Sequence, residues 1–406
     1  MVRKSPYERL NNITADSDLN ELLEHVDSLK AKFTCKKLLG QGSYGKVYLG
    51  QANSGHAELG TVAIKKIVTS SKALLDDVNR EIWYMTQARG HSNLCQLLQA
   101  YRKNRRTESA STITCLVMEA YETNLTGLIQ QAAELEEPID FTRCLDHLSR
   151  GLLHLHDHHI IHRDLSTNNV FIRRTPGSAV PDFVIGDFGL SRQFQNNKFF
   201  PEFKGNSVTS SVQRRPVQPL ISSLLRIDAE TQSLTTRVTT REFRAPEIFL
   251  ESPNYTASID CWSLGVILFS VAFGHYPFAL GRNSSSYEVF ENGIWTHFNN
   301  PCSNPFGAAA PLNWSELDSL VNLGPPIQLI ESYKPTVLQR FVLSNLLLLA
   351  PSSRFTMRKL RHQFELDKLP AQPLLTERLP DPQPRTTNIV VPLEQQSTDV
   401  DMDTRS

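Results

Sequence analysis

The 406-residue sequence predicts an α+β fold, in which a small β-rich part is joined to a larger helical part. Residues 33–67 break short runs of Val, Ile, Leu and Tyr with Gly and Ser, the pattern of antiparallel strands linked by tight turns. Beyond residue 121 the period changes. In FTRCLDHLSRGLLHLHDHH, Leu145, Leu148, Leu152 and Leu155 recur at helical spacing and form one apolar stripe. An apolar content of 40% suits a chain with a full core, and the length allows two or three domains.

Taken in order, residues 1–32 form an N-terminal extension. Within it SDLNELLEHVDSLK (17–30) sets Leu19, Leu22, Leu23, Val26 and Leu29 behind Ser17, which predicts a short amphipathic helix packed on the main body. Residues 33–121 are the β-rich lobe with its hinge. A helix is expected over residues 73–88, and two further strands bracket the polar loop RKNRRTESAS before ITCLVMEA. Residues 122–368 are the helical lobe. It is interrupted at about 193–232 by a stretch rich in Asn, Ser, Gln and Pro that reads as a long surface loop. Residues 369–406 are Pro-rich and polar, the composition of a disordered tail. A crevice is expected between the two lobes.

Lys plus Arg and Asp plus Glu are equal at 42 each, so no global field recruits nucleic acid or anionic lipid. The six cysteines are scattered, without a CxxC pair or a His at zinc-ligand spacing, and read as thiols in a reducing compartment. MVRKSPYERLNN lacks the apolar stretch of a signal peptide, and LGVILF and FVLSNLLLLA are about half a bilayer span. The expectation is a cytoplasmic protein without a membrane span. RKNRR and QRR read as solvated loop charge, which leaves a nuclear location open.

Four separated segments carry the chemistry. LLGQGSYGKVYLG contains Gly40, Gly42 and Gly45 in a GxGxxG pattern, followed by Val47. Such glycines also open dinucleotide-binding folds, but those require a helix directly afterwards. Here KVYLGQA continues as a strand into a second strand that carries VAIK, so the glycines sit in a hairpin. Their backbone amides can approach phosphate oxygens, and Val47 can pack on an adenine ring. Lys65 ends TVAIK, and Glu81 in NREIWYM lies on the next helix, where it can turn inward to hold the ammonium against phosphate. In IIHRDLSTNNVFI, Asp164 is placed to accept or orient a hydroxyl proton, and Asn169 offers a neutral oxygen to Mg²⁺. Asp187 in VIGDFGLSR supplies a charged oxygen to the same metal. Each residue alone reads as an ordinary strand-end lysine or loop cap. Their order along one chain points to phosphate transfer from ATP with Mg²⁺.

These segments, followed by RAPE, resemble eukaryotic protein kinases over about residues 33–367. The resemblance implies a two-lobed kinase fold. It implies that Leu39, Lys46 and Ala63 join the ATP site, with Met118 as gatekeeper and the backbone of Glu119 and Tyr121 at adenine. It also implies an ion pair between Glu247 and Arg354 and a role for Asp260 in holding the catalytic loop from below. TTREFRAPEI, YETNLTGLI and NREI are more closely similar to cyclin-dependent and mitogen-activated protein kinases, the CMGC group. Thr240 stands where serine/threonine kinases place a threonine against the catalytic aspartate.

By the same resemblance Thr235 is the activating phosphorylation site, received by Arg80, Arg163 and Arg192, with an upstream kinase implied and a cyclin-like activator left open. Without that phosphate the three arginines are expected to repel one another and hold their loop poorly. Arg244 would favour proline after the phosphoacceptor in protein substrates. Three features depart from the group. Ser166 replaces a usual lysine, the segment between Asp187 and Glu247 is about twice the usual length, and the tyrosine of a TxY pair reads Arg237. Ser166 motivates the alternative of a pseudokinase or weakly active scaffold that regulates a partner.

Overall fold

The computed structural model describes residues 23–42, 45–105, 111–175, 177–178, 180–194, 240–252, 255–278, 290–298, 317, 320 and 323–363. Residues 17–22, most of the 193–232 stretch, Thr235 and the tail lie outside them.

The first lobe is built on strands β1 (Leu23–His25), β2 (Phe33–Gly42), β3 (Gly45–Ala52), β4 (Thr61–Thr69), β5 (Leu97–Arg105) and β6 (Ser111–Glu119). They form one sheet in the order β1-β5-β6-β4-β3-β2. Five of them pair antiparallel, while β1 runs parallel to β5. This corrects the expected helix over 17–30. Over the described part of that segment, Leu23–His25 form β1 and the helix α1 covers Val26–Lys32. An edge strand leaves a row of backbone N–H and C=O groups unpaired, and a segment that can satisfy them gains more than its helical pattern offers.

Strand alternation gives the sheet two different faces. Along β4, Val62 and Ile64 point to one side and join Leu29, Phe33, Tyr101, Cys115 and Val117 in a small outer core. Residues one position out of phase point the other way. Ile67 and Leu116 belong to the main core, which continues into the helical lobe through Leu94, Leu152 and Ile185. Helix α2 (Lys72–Gln87) packs on that inner face, capped by Ser71, whose hydroxyl accepts the Leu74 N–H. Its buried stripe is Val78, Glu81, Ile82 and Met85, so one carboxylate is carried inward with the apolar residues.

The second lobe contains α3 (Leu125–Leu135), α4 (Phe141–Asp157) and α5 (Ser258–Phe273), followed by α6 (Ile327–Ser332), α7 (Val337–Leu346) and α8 (Met357–Gln363). Helix α5 is apolar on all sides and buried over nearly its whole length, as the central helix of a lobe must be. Short strands β7 (Thr123–Asn124), β9 (Val170–Arg173) and β10 (Asp182–Ile185) form one small sheet, and β8 (Ile160–Ile161) pairs with β11 (Arg192–Gln193) in another. The loops between these strands lie at the crevice. Among the described residues, no helix is long and apolar enough to cross a membrane.

One ion pair locks the base of this lobe. Arg354 donates to both carboxylate oxygens of Glu247, at 2.6 and 2.8 Å, and to the carbonyls of Leu348, Leu349 and Ser258. Its guanidinium also lies 5.1 Å from the Trp262 ring centre. The pair is dry, with the two side chains 0% and 4% exposed. Removing one partner strands a buried charge, so Arg354→Met should lower unfolding free energy by about 3–5 kcal/mol. Urea denaturation measures it, and the double variant Glu247→Leu/Arg354→Met should lose less than the single one.

Candidate active site

The glycine segment is a hairpin whose pairing runs to its turn, with Gly40 opposite Val47 and Gly42 opposite Gly45. Gly45 has φ +144°, and a Cβ there would come within 2.2 Å of the Lys66 carbonyl oxygen, so only glycine fits. Cross-strand partners share a face. Val47 therefore lies with Lys65, and Ala63 with Met118, on the side of the sheet that looks into the crevice. Val47, Ala63, Met118 and Leu39 are half-buried, while Lys46 is exposed.

Lys65 is buried. Its Nζ donates to Glu81 Oε1 at 2.6 Å and to Asp187 Oδ1 at 3.1 Å, across 16 and 122 positions of sequence. Burial alone would strip its proton, but the two carboxylates outweigh that and raise its pKa, so the ammonium persists. Burial likewise works against the Asp187 charge, yet Lys65 holds that carboxyl below its usual range. A cation fixed between two carboxylates, with the glycine hairpin above it, can take phosphate oxygens without moving.

Asp260 builds the catalytic loop from beneath. Its carboxylate accepts the backbone N–H groups of His162 at 2.9 Å and Arg163 at 3.0 Å, and contacts His156 Nε2 at 3.0 Å. Arg163 is thereby kept at φ +70°, and Asp187 stands at φ +61°, both sparsely populated for residues with side chains. His162 links the two segments through Nε2, 3.0 Å from the Gly186 carbonyl.

Above this loop, Asp164 Oδ1 accepts the Thr240 backbone N–H at 2.9 Å and its hydroxyl at 3.2 Å. Asn169 Nδ2 donates to the Asp164 carbonyl at 2.8 Å and to Oδ2 at 2.9 Å. Both neighbours are acceptors, which fixes the amide nitrogen there and leaves Oδ1 free of that duty. Asn169 and Asp187 thus carry hard oxygen donors of the kind that would suit Mg²⁺. Burial raises the Asp164 pKa against the hydrogen bonds from Thr240, which would suit a carboxylate acting as a proton acceptor.

At the hinge, the Tyr121 hydroxyl donates to Glu119 at 2.6 Å, and its ring stacks on Phe171 at 5.1 Å. Phe171 was not evident in the sequence. It packs so tightly against Gly186 that a Cβ there would fall 2.5 Å from its ring. The signal is only its place two residues after Asn169, where alternation along β9 turns it away from buried Val170 and Ile172.

The three arginines do come together. Arg163 is buried with its guanidinium 5.5 Å from the Tyr255 ring centre, and burial followed by the nearby Arg192 charge lowers its pKa. Arg80 and Arg192 both donate to the Asp77 carboxylate. Asp77, three residues before Arg80 on α2, thus stands as an anion between two of the cations expected to repel one another. Thr235 lies outside the described residues. Ser166 is fully buried, and its hydroxyl has no partner among the described residues.

The protein kinase domain family matches residues 33–212 and 222–364, and the chain belongs to that family. It is similar to the serine/threonine-protein kinase KIN28 of Saccharomyces cerevisiae, 30% identical over 254 residues, 62% of this chain and 67% of that protein. Mitogen-activated protein kinase spm1 of Cytospora mali is 31% identical over 259 residues, covering 62% of this chain and 51% of that one. Mitogen-activated protein kinase 15 of Rattus norvegicus is 32% identical over 253 residues, 61% of this chain and 38% of its own length. The chain thus spans about half the length, or less, of the mitogen-activated kinases it matches.

The raised Asp164 pKa predicts the pH response of transfer. If Asp164 takes the acceptor proton it acts ionised, so activity should fall as pH drops through a value raised above that of an ordinary aspartate. Thr240→Ala removes one hydrogen bond that favours the ion, and should move this acid limb to still higher pH. A kcat profile of both proteins checks the direction.

Proposed function

We propose that this chain is an ATP-dependent protein serine/threonine kinase. One observation carries the reading: the Lys65 ammonium is fixed at once to Glu81 of the β-rich lobe and to Asp187 of the helical lobe, at 2.6 and 3.1 Å. Lys65 would bind and orient the α and β phosphates, under backbone amides of the glycine hairpin. Val47, Ala63 and Phe171 would hold adenine between them, with backbone of Glu119 and Tyr121 at its edge. Asn169 and Asp187 would hold Mg²⁺, whose charge offsets that of the β and γ phosphates when bound. Asp164 would orient the acceptor hydroxyl and take its proton, while Thr240 keeps that carboxylate in place. The name of the Saccharomyces cerevisiae relative supports serine and threonine as acceptors, on protein substrates.

Two finer features belong to the same reading. Arg244 would support a backbone turn at Thr239 that leaves room for proline after the acceptor, giving Ser-Pro and Thr-Pro preference. Phosphorylation at Thr235 by an upstream kinase would bring a doubly charged group to Arg80, Arg163 and Arg192, ordering its loop and the placement of Glu81. A cyclin-like activator is a further partner that this class admits.

Transfer of labelled phosphate from ATP with Mg²⁺ tests the assignment. Lys65→Met and Asp187→Asn should each lose about 10²-fold to 10³-fold in rate, since both act electrostatically at the reacting phosphates. Undiminished transfer in either sinks the site. In a peptide library, proline after the acceptor should be enriched, and Arg244→Ala should weaken that enrichment; no enrichment in the parent removes the proline preference.

A further inference from the structure

Within five residues, α2 carries Asp77, Arg80 and Glu81. Asp77 and Arg80 are three apart and so share a face, and Asp77 Oδ1 accepts from Arg80 Nη2. The same oxygen accepts from Arg192 Nη2 at 3.2 Å, although Arg192 is 115 positions away. Arg192 is itself anchored: it pairs with Ile161 in the β8–β11 ladder, and its Nη1 donates to the Ser191 carbonyl at 2.8 Å. It also lies five residues after Asp187. One carboxylate thus fastens the helix that carries Glu81 to the segment that carries Asp187, the two residues between which Lys65 is held.

We propose that Asp77 is a positioning residue for phosphoryl transfer, a carboxylate built into α2 that neutralises part of the arginine cluster and holds the helix inward before any phosphate reaches Thr235. The proposal rests on the kinase reading above. Two guanidinium groups aimed at one point repel, and here they are held together by the charge between them. The side chains of Arg80 and Arg192 are 17% and 20% exposed, so water and salt screen the contact less than at an open surface. The bridge need not be strong to matter. It biases a helix whose inward place is also favoured by the Lys65–Glu81 pair, and a small bias between two helix positions is multiplied in the population of the complete site. Arg80 Nε is buried without a partner among the described residues, so the cluster retains a donor for a further anion. Asp77 would therefore supply a basal level of order to which phosphorylation adds.

The test uses the full chain in a Thr235→Ala background, so that no phosphate at that position contributes. Asp77→Asn keeps size and removes charge, and Asp77→Glu restores the charge. Asp77→Asn should lower kcat about fivefold or more, the scale of coupling between linked sites, with a smaller change in KM for ATP. Asp77→Glu should recover most of that loss. Amide hydrogen exchange over Lys72–Gln87 should quicken in Asp77→Asn while the thermal midpoint moves little, and added salt should reduce kcat more in the Asp77 protein than in Asp77→Asn. Equal kcat and equal exchange in Asp77→Asn and its parent overturn the proposal, as does a loss that Asp77→Glu fails to recover. If neither these variants nor the chain with Thr235 intact transfers phosphate, the kinase reading fails by itself. Exchange over the helix then still decides whether Asp77 holds it.

Discussion

The Lys65 ammonium organises the site because it is the point where three separate parts of the chain must meet. It ends a strand of the first lobe, Glu81 comes from the helix on the inner face of that sheet, and Asp187 comes from a loop of the second lobe. A buried ammonium without counter-charges would lose its proton, and a buried Glu81 without Lys65 would gain one. Lys65 therefore favours the charge of both carboxylates and they favour its own, although burial still holds the Glu81 pKa above its ordinary value. Displacing α2 would separate charges in a poorly solvated place. Under the proposed function the helix position becomes a condition of the chemistry, and whatever holds α2 would bear on rate without touching the reacting atoms.

A second set of contacts fixes the opposite side of the crevice. Asp260 accepts two consecutive backbone N–H groups, which over-determines the turn at His162 and Arg163 and permits a positive φ at Arg163. Its carboxyl, which burial would neutralise, is kept ionised below its usual range by the His156 hydrogen bond together with the nearby histidines. His162 carries the same order to the loop of Asp187 through the Gly186 carbonyl. Asp164 and Asn169 then need few contacts of their own: each restrains the other, and Thr240 restrains Asp164. The lower half is pinned to a central buried helix, whereas the upper half is carried on an outer helix held through ion pairs. Asp77, Arg80 and Arg192 meet on that outer helix.

Much of this arrangement was legible in the sequence, for a physical reason. Strand alternation and the helical stripe depend on which side of an element is wet, so residues 33–67 and 141–157 reveal their elements locally. The glycine hairpin, Lys65, Asp164, Asn169 and Asp187 are similarly local, because each loop needs its own residue types at fixed spacing wherever the loop goes. By themselves they determined the fold class and pointed to the chemistry proposed for the crevice.

Tertiary structure alone decided matters that depend on neighbours distant in sequence. The segment at 23–25 pairs as a strand because β5 offers an open edge there, which no helical periodicity can register. Phe171 packs as it does only because β9, β10 and the hinge bring Gly186 and Tyr121 against its ring. Asp77 reads as an ordinary exposed acid on a helix until the fold sets Arg192 beside it. In each case the residue type is unremarkable and its partner decides its role, since a charge, an aromatic face or an unpaired backbone group takes its meaning from what it is brought to face.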